Sequence, residues 1–300
     1  MSAIELIPET QEDERTGPLA GPALCAAART HRGAVRADNQ DAFLCRPDLG
    51  LFAVIDGMGG HLAGRRAAEM AREALAEKGD PARGLLAANE RIRKAAQNHS
   101  ELNGMGCVAS ALKITDGIAH VAHVGDTRVY LACSAGCEQL TRDHTVAASE
   151  QERLALSHQN AGDLPGRNQV TRDLGGKRRR GQDWIDRLEV PLEQGALLLL
   201  CSDGLPEAVG TDEVFERLRQ ARRAGQPPEQ VVDELITRAL ERGARDNVTA
   251  LIVRHDGEAP GPRRGRSLTV RAVWPAVVRA APPLLVGLVL GFVLRGCVGF

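Results

Sequence analysis

Residues 51–60, LFAVIDGMGG, are the stretch of sequence that decides the fold. Five apolar residues make a run with the length of a buried strand, Asp56 follows at once, and glycine fills three of the next four positions. This order predicts a core strand that ends at an acidic turn. Further apolar runs outward from it predict strands at residues 24–28, 42–45, 108–114, 118–124, 129–133, 196–201 and 248–253.

The connections between these runs indicate the fold class. Residues 115–117 (TDG) and 134–136 (SAG) have the composition of tight turns and predict antiparallel hairpins. Apolar residues at three- and four-residue spacing predict helices at 63–78, 82–102, 212–224 and 228–242, with Thr211 as the N-cap of the third. Strand runs with inserted helix pairs favour an α+β domain. The polar stretch 145–187 predicts a helix with a mobile surface flap.

Composition excludes several classes of protein. The chain has 300 residues, 43% of them hydrophobic, which is enough to bury a sizeable core and excludes full-length disorder. The 38 Lys and Arg nearly balance the 39 Asp and Glu, and aromatic residues make up 3%. No strong positive field and no base-stacking platform are therefore expected, and nucleic acid is excluded as a partner. The seven cysteines lack the spacing of zinc or redox motifs and are expected to be reduced thiols.

Charge and apolar content divide the chain into four parts. Residues 1–22 are acidic and punctuated by Pro and Gly, which predicts a flexible N-terminal segment. The globular domain is assigned to residues 23–256 and a Pro/Gly/Arg linker to residues 257–273. Residues 259–300 contain six Arg and no acid, so residues 1–258 carry a net charge of −7.

Residues 274–300 predict a single C-terminal transmembrane helix. Their central 15 residues, 280–294, carry no charge, and the flanking Arg279 and Arg295 lie near the ends, where arginine can reach the membrane surface. A buried C-terminal helix is the competing interpretation, but Pro282, Pro283 and the lack of a polar face argue against it. The arginines before the span predict that the globular domain lies on the cytoplasmic side of the membrane.

Acidic residues adjoin five of the predicted strands. One carboxylate at a strand end is usually a turn former, but several together would repel one another unless cations neutralised them. Carboxylates without a competing His or Cys cluster favour hard cations such as Mg²⁺ or Mn²⁺. The pattern by itself leaves open whether the five converge. These residues are Asp41, Asp56, Asp126, Asp203 and Asp246.

Seven segments in order resemble the motifs of the metal-dependent protein phosphatases, the protein phosphatase 2C family. The segments are THRGAVRADNQD (30–41), VIDGMGGH (54–61), MGCVASALKI (105–114), HVGDTRVYL (123–131), QLTRDHT (139–145), LLLLCSDGL (197–205) and RDNVTALIV (245–253). Each segment alone is weak evidence, and their shared order is strong evidence. The resemblance implies a four-layer αββα sandwich of two antiparallel sheets flanked by helices.

The resemblance also implies a set of site residues. By matching position, Asp56 would bridge two Mn²⁺ or Mg²⁺ ions, the carbonyl of Gly57 would ligate one of them, and Asp203 and Asp246 would complete the other. Asp41 would orient bound water, and Asp126 would share a third ion with Asp203. Arg36 matches the residue that binds phosphate, a task suited to a guanidinium.

The implied activity is hydrolysis of phosphoserine and phosphothreonine in proteins. A hydroxide that bridges the two ions would attack phosphorus directly, with Asp56, Asp203 and Asp246 as the catalytic carboxylates that hold the ions. The partners would be phosphorylated proteins and a cognate Ser/Thr kinase whose signalling the enzyme reverses at the membrane. Two alternatives stay open: an inactive phosphatase-like binding module, and a hydrolase of a non-protein phosphoester.

Two positions depart from the family pattern. Met58 stands where animal members have a histidine proposed as general acid, so the group that protonates the leaving oxygen is not identified. Gln40 replaces a frequent Glu, which predicts weaker metal affinity without loss of activity. Cys201 and Ser202 adjoin Asp203 and are interpreted as strand residues, while His144 is expected to be a structural hydrogen-bonding residue near the site.

Overall fold

The computed structural model describes residues 13–16, 19–21, 23–153, 166, 169–176 and 184–260. Twelve strands lie in this part of the chain. They are β1 (Asp13–Arg15), β2 (Leu19–Gly21), β3 (Leu24–His31), β4 (Asp41–Arg46), β5 (Leu51–Met58), β6 (Gly106–Thr115), β7 (Ile118–Val124), β8 (Arg128–Cys133), β9 (Gly136–Gln139), β10 (Asp186–Pro191), β11 (Ala196–Cys201) and β12 (Val248–His255).

Six α-helices lie between these strands in the described part of the chain. They are α1 (His61–Lys78), α2 (Pro81–Asn98), α3 (Val146–Arg153), α4 (Gly204–Val209), α5 (Thr211–Ala224) and α6 (Pro228–Glu241), and a short 3₁₀ helix, Ser100–Leu102, follows α2. Local sequence explains several of their ends. The carboxylate of Asp80 accepts a hydrogen bond from the amide of Arg83 at 2.8 Å and caps α2, which opens with Pro81. Gly79 ends α1 in the left-handed conformation.

The strands form two antiparallel sheets. In the larger sheet the order is β1-β3-β12-β11-β8-β9, with β2 also paired to β3, and in the smaller sheet it is β10-β7-β6-β5-β4. The chain passes between the sheets several times, because β3 belongs to the larger sheet, β4 to β7 belong to the smaller one, and β8 returns to the larger.

Three apolar layers hold the sandwich together. One lies between the smaller sheet and α1 with α2, where Ile55 and Leu75 are fully buried. A second lies between the two sheets and includes Phe52 and Leu200. The third packs α4, α5 and α6 on the larger sheet around Leu199 and Ile236. The order of layers is helix, sheet, sheet, helix, as the resemblance implied.

All eight predicted strands and the four predicted helices are present, and both hairpins are confirmed. The polar stretch 145–187 contains α3, as predicted, while residues 154–165 and 177–183 of its proposed flap lie outside the described residues. The helix predicted at 82–102 ends at Asn98. Thr211 is the first residue of α5, and Gly210 precedes it as the cap.

The prediction of a flexible N-terminal segment is wrong for residues 13–15 and 19–21. They form β1 and β2, which pair with β3 and cover its outer edge. Asp13 and Arg29 form an ion pair of 3.0 Å across this edge, a long-range contact that composition does not reveal.

The predicted C-terminal anchor, residues 274–300, lies outside the described residues. Within the described ranges, no helix has both the length and the apolar character needed to cross a bilayer.

Candidate active site

The five acids selected from the sequence lie where strands of both sheets end at one pole of the sandwich. Asp41 opens β4 and is the cross-strand partner of Asp56, near the end of β5. Asp126 lies in the turn between β7 and β8, and Asp203 and Asp246 flank the adjacent ends of β11 and β12. Antiparallel pairing therefore brings together acids that are far apart in sequence. We call these five residues the acid cluster.

Electrostatic repulsion shows how closely the acid cluster converges. Burial and the charges of all four other members raise the pKa of Asp56 well above its ordinary value. Burial, Asp126 and Glu207 do the same for Asp203. Two like charges directly opposite each other on paired strands destabilise a sheet. The cluster is therefore electrostatically unfavourable unless protons or cations neutralise it.

Asp41 is the most tightly held member of the acid cluster. Its Oδ2 accepts hydrogen bonds from Ser202 Oγ at 2.8 Å and from Thr249 Oγ1 at 2.6 Å. The Thr30 and Thr249 hydroxyl oxygens lie 2.6 Å apart, and Asn39 Nδ2 donates to Thr30 Oγ1 at 2.9 Å. Hydroxyls of the larger sheet thus fix a carboxylate of the smaller sheet.

The other oxygen of Asp41 is unsatisfied. Oδ1 is buried and has no hydrogen-bond partner among the described residues. Burial raises the pKa of Asp41 to about 6 against the opposing effect of the Thr249 and Ser202 hydrogen bonds. A buried oxygen without a partner carries a desolvation cost, so this atom fits contact with a cation or with a cation's water.

Arg36 lies at the rim of the acid cluster. Its Nη2 donates to Asp246 Oδ2 at 2.6 Å, and 59% of its side chain is exposed. The hydrogen bond to Asp246, together with the charges of Asp56 and Asp203, raises the pKa of Arg36. The guanidinium therefore faces the acids from the solvent side, where an incoming dianion would meet it.

Asn247 holds the loop that carries Arg36. Its Nδ2 donates to the carbonyls of Arg32 at 3.0 Å and Asp38 at 2.9 Å, and its Oδ1 accepts from the amide of Gln40 at 2.9 Å. Three backbone groups of residues 32–40 are satisfied by this one side chain. The position of Arg36 depends on a residue next to Asp246.

Gly57 is required by a close approach of three chain segments. A Cβ at this position would lie 2.2 Å from the carbonyl oxygen of Gly64 and 2.6 Å from that of Gln40. The Gln40 side chain packs against Gly64 as well, since a Cβ there would lie 2.3 Å from its Oε1. The glycines allow the start of α1 to lie directly against the end of β5.

The acid cluster fits divalent cations through the chemistry of its donors. It offers carboxylate oxygens and the backbone of Gly57, which are ligands for hard cations. Within the described ranges, no group of three or more His, Cys, Asp and Glu side chains lies in a metal-holding arrangement.

The family of the chain follows from a match over more than half of its length. The family model described as Protein phosphatase 2C matches residues 27–181. The chain belongs to this family. A second family model, described as Stage II sporulation protein E (SpoIIE), matches residues 181–256.

Named relatives of the phosphatase come from bacteria. The serine/threonine phosphatase stp of Listeria monocytogenes is 33% identical over 248 residues, which cover 77% of this chain and 96% of that protein. The structure of the Mycobacterium tuberculosis phosphatase PstP/Ppp has a TM-score of 0.70 at 29% identity and covers 78% of this chain and 99% of its own. The catalytic domain of PstP in complex with two manganese ions has a TM-score of 0.67 at 29% identity, with 77% and 97% covered.

These comparisons confirm the predicted family, enzyme class and cofactor. The chain is a metal-dependent protein serine/threonine phosphatase that uses Mn²⁺ or Mg²⁺. The individual ligand roles of the acid cluster, the phosphate-binding role of Arg36 and the membrane anchor stay predictions.

Sequence reasoning missed four residues that shape the site. Ser202 is more than a strand residue, because its hydroxyl holds Asp41. Thr249 and Asn247 were not among the predicted site residues, although their side chains order the site. Glu207, in α4, contributes to the repulsion that raises the pKa of Asp203, and the sequence carried no signal for it because α4 is too short for helical periodicity.

Proposed function

We propose that this phosphatase hydrolyses phosphoserine and phosphothreonine in proteins by direct attack of water at the acid cluster. The convergence of four like charges on Asp56, with Arg36 at the rim, carries the proposal. Such an arrangement is costly for the fold by itself, and it is explained by divalent cations and an anionic substrate.

We assign the metal-holding roles to the acid cluster and to one backbone group. Asp56 and the carbonyl of Gly57 would hold the ions with Asp203 and Asp246, Asp41 would orient bound water, and Asp126 with Asp203 would hold a third ion. When bound, the ions supply a water nucleophile of lowered pKa and neutralise charge on the phosphoryl group.

Arg36 binds and orients the phosphoryl group. Its guanidinium can donate two parallel hydrogen bonds to a dianion. In the structure one of these donors is given to Asp246. Substrate binding would exchange this exposed ion pair for a contact with phosphate, so the loop held by Asn247 keeps the donor close to where the substrate arrives.

The side chains beside Asp203 support a mechanism without a phosphoenzyme. Cys201 is fully buried in β11, and burial raises its thiol pKa, which keeps the group protonated. The Ser202 hydroxyl is buried and donates to Asp41. Neither group is placed as a nucleophile, so water remains as the attacking group.

The enzyme assay tests this proposal. The purified full-length chain is incubated with a phosphothreonine peptide in Mn²⁺, in Mg²⁺ and in excess chelator. We expect phosphate release with either ion and none in chelator. Binding of the peptide without release would support the inactive binding module, and release from small phosphoesters alone would support a non-protein substrate.

We further propose that the phosphatase acts at a membrane, with its catalytic domain (residues 23–256) in the cytoplasm of a bacterium. The uncharged residues 280–294 support a single C-terminal span, reached through the linker 257–273, and the Arg cluster in that linker supports the cytoplasmic side for the domain. The partner would be a Ser/Thr kinase that acts on the same proteins. Full-length protein should partition into the membrane fraction, and truncation after Asp256 should abolish this, whereas recovery of the full chain in the supernatant would overturn the anchor.

A further inference from the structure

The turn that carries Asp126 depends on Gly125. Gly125 has a φ of +105°, and a Cβ there would lie 2.1 Å from the side chain of Val108, so the backbone alone sets the turn. Both polar groups of Gly125 bond to one residue. Its amide donates to His144 Nδ1 at 3.0 Å, and its carbonyl accepts from the His144 amide at 2.7 Å.

These contacts fix the tautomer of His144. Because Nδ1 accepts a hydrogen bond, a neutral ring carries its proton on Nε2. Nε2 lies 3.0 Å from Asp186 Oδ2 and 3.2 Å from Arg172 Nη1. Since the guanidinium cannot accept, the Nε2 proton goes to Asp186 Oδ2, while Arg172 Nη1 donates to the other oxygen, Oδ1, at 2.9 Å. The His144 side chain is 5% exposed. Both nitrogens therefore have set partners in a buried position.

A second histidine supports the ring from the side. The ring centroids of His123 and His144 are 4.8 Å apart. Burial is the main cause that lowers the pKa of His123 to about 4. His123 is anchored in turn by Ser110 Oγ, 2.9 Å from its Nδ1, and by the carbonyl of Arg142, 2.9 Å from its Nε2.

We propose that His144 is a positioning residue for Asp126: its Nδ1 holds the Gly125–Asp126 turn, and Asp186 with Arg172 keeps the ring in the required tautomer. The inference rests on the proposed role of Asp126 and Asp203 in holding a divalent cation. It extends the site to residues 172 and 186, on a different part of the chain from the acid cluster.

Two matched substitutions separate the two nitrogens of the ring. In His144→Asn, the amide oxygen stands near the place of Nδ1 and can accept from Gly125, but the side chain is too short to reach Asp186. In His144→Gln, the polar group stands near the place of Nε2 and can contact Asp186, but it leaves the Gly125 amide without an acceptor. The two variants have similar polarity, so their comparison isolates the contact with the turn.

Two measurements on the full-length chain test the proposal. Hydrogen exchange of the Gly125 amide, measured in chelator, reports the turn without any metal. Calorimetric titration with Mn²⁺ reports the ion sites, and a lost contact of this kind typically weakens metal binding by about 10-fold or more. We expect the Gly125 amide of His144→Gln to exchange faster and this variant to bind Mn²⁺ more weakly, with His144→Asn close to wild type in both.

Other results would contradict either the positioning role of His144 or the ion-binding role of Asp126. Equal Gly125 protection in both variants and wild type would overturn the positioning role. Faster exchange and weaker Mn²⁺ binding in Asn as in Gln would overturn it as well, because the Nδ1 contact would then not be the decisive one. The variant Asp126→Asn is the reference: an unchanged Mn²⁺ isotherm there would overturn the ion assignment of the proposed function, and Gly125 exchange alone would then decide the positioning role.

Discussion

The acid cluster of this phosphatase lies near another carboxylate, Asp186, and the two have partners of opposite charge. In the acid cluster, Asp56 is surrounded by other acids, and its pKa rises well above the ordinary value through burial and their charges. Nearby, Asp186 lies against His144 and Arg172, and although burial opposes it, these partners lower its pKa to about 2. The charge of Asp186 is neutralised by groups of the protein itself. The charge of Asp56 is not, and this difference identifies the acids whose charge is left for a bound ligand to neutralise.

The largest effects on activity and on stability are expected from the substitution Asp203→Asn. We expect kcat/KM for a phosphothreonine peptide to fall by more than about 100-fold, since the loss of a direct ligand should exceed the 10–100-fold cost of losing its supporting contacts. In chelator, the same variant should melt at a higher temperature, by about 2–4 °C for each kcal/mol of repulsion removed. Activity assays and thermal melts measure the two effects.

Asp186→Asn is the matched control for that variant. It removes a carboxylate that already has cationic and hydrogen-bonding partners, so it should lower the melting temperature in chelator. Near-normal turnover in Asp203→Asn, or a fall in its metal-free melting temperature like that of Asp186→Asn, would contradict the distinction between the acid cluster and Asp186.

The second prediction concerns pH. Burial is the main cause that raises the pKa of Asp41 to about 6 and of Asp126 to about 7, both from an unfolded value of 3.8. The folded state then binds more protons than the unfolded state, so these groups contribute stability below about pH 4 that is lost as the pH rises to 7. Asp186 has the opposite sign, and its contribution is lost as the pH falls from about 4 to 2.

Thermal melts from pH 4 to pH 7.5 in chelator test this sign. We expect the melting temperature of wild type to fall relative to that of Asp126→Asn as the pH rises. Saturating Mn²⁺ should remove this difference between the pH dependences of the two melting temperatures. If the melting temperatures of the two proteins changed in parallel with pH in chelator, the pKa of Asp126 would not be raised by folding.

A third, smaller effect is expected from Asn247→Ala. The side chain satisfies three backbone groups of the loop that carries Arg36, so its loss should loosen the loop and raise KM by about 10-fold, which corresponds to about 1.4 kcal/mol. The metal-holding acids stay in place, and kcat should change less than KM. Peptide kinetics of Asn247→Ala, Arg36→Ala and the double variant check this, because residues that act together give less than additive losses. Additive losses would separate Asn247 from Arg36.

Gln40→Glu should produce the smallest change. Its side chain packs against Gly64 beside Gly57, and a charge there would add to the negative field of the acid cluster. We expect the Mn²⁺ concentration for half-maximal activity to fall about 5-fold, or about 1 kcal/mol. Gln40→Met is the uncharged control, and an equal fall in that variant would rule out the charge as the cause.

The sequence was most informative where local pattern and local structure coincide. Apolar runs of strand length predicted eight strands, and the acids at their ends could be selected because a strand end is visible in the pattern. β10 was missed because DRLEVP has only two apolar residues before its Pro and lies within a polar stretch, and α4 was missed because six residues are too few for helical periodicity.

The pattern of apolar and polar residues along the sequence does not reveal long-range hydrogen bonds. Ser202 and Thr249 are separated from Asp41 by 161 and 208 positions, so nothing near them in sequence reveals their shared partner. The convergence of the acids was equally invisible in the spacing, and the family resemblance supplied it. Charge partners such as Arg172 for Asp186 became visible only with the tertiary structure.

The pairing of β3 with β12 has a consequence for the order in which the enzyme is made. The Thr30 and Thr249 hydroxyls meet across this pair, and Asp41 depends on the second of them. A ribosome releases β12 last among the described strands, more than 200 residues after β3. Until then Asp41 lacks the Thr249 hydroxyl and Asp246 has no place beside the larger sheet, so we expect a chain without β12 to be unable to assemble the whole site. Hydrolytic activity therefore begins only when synthesis of the whole domain is complete.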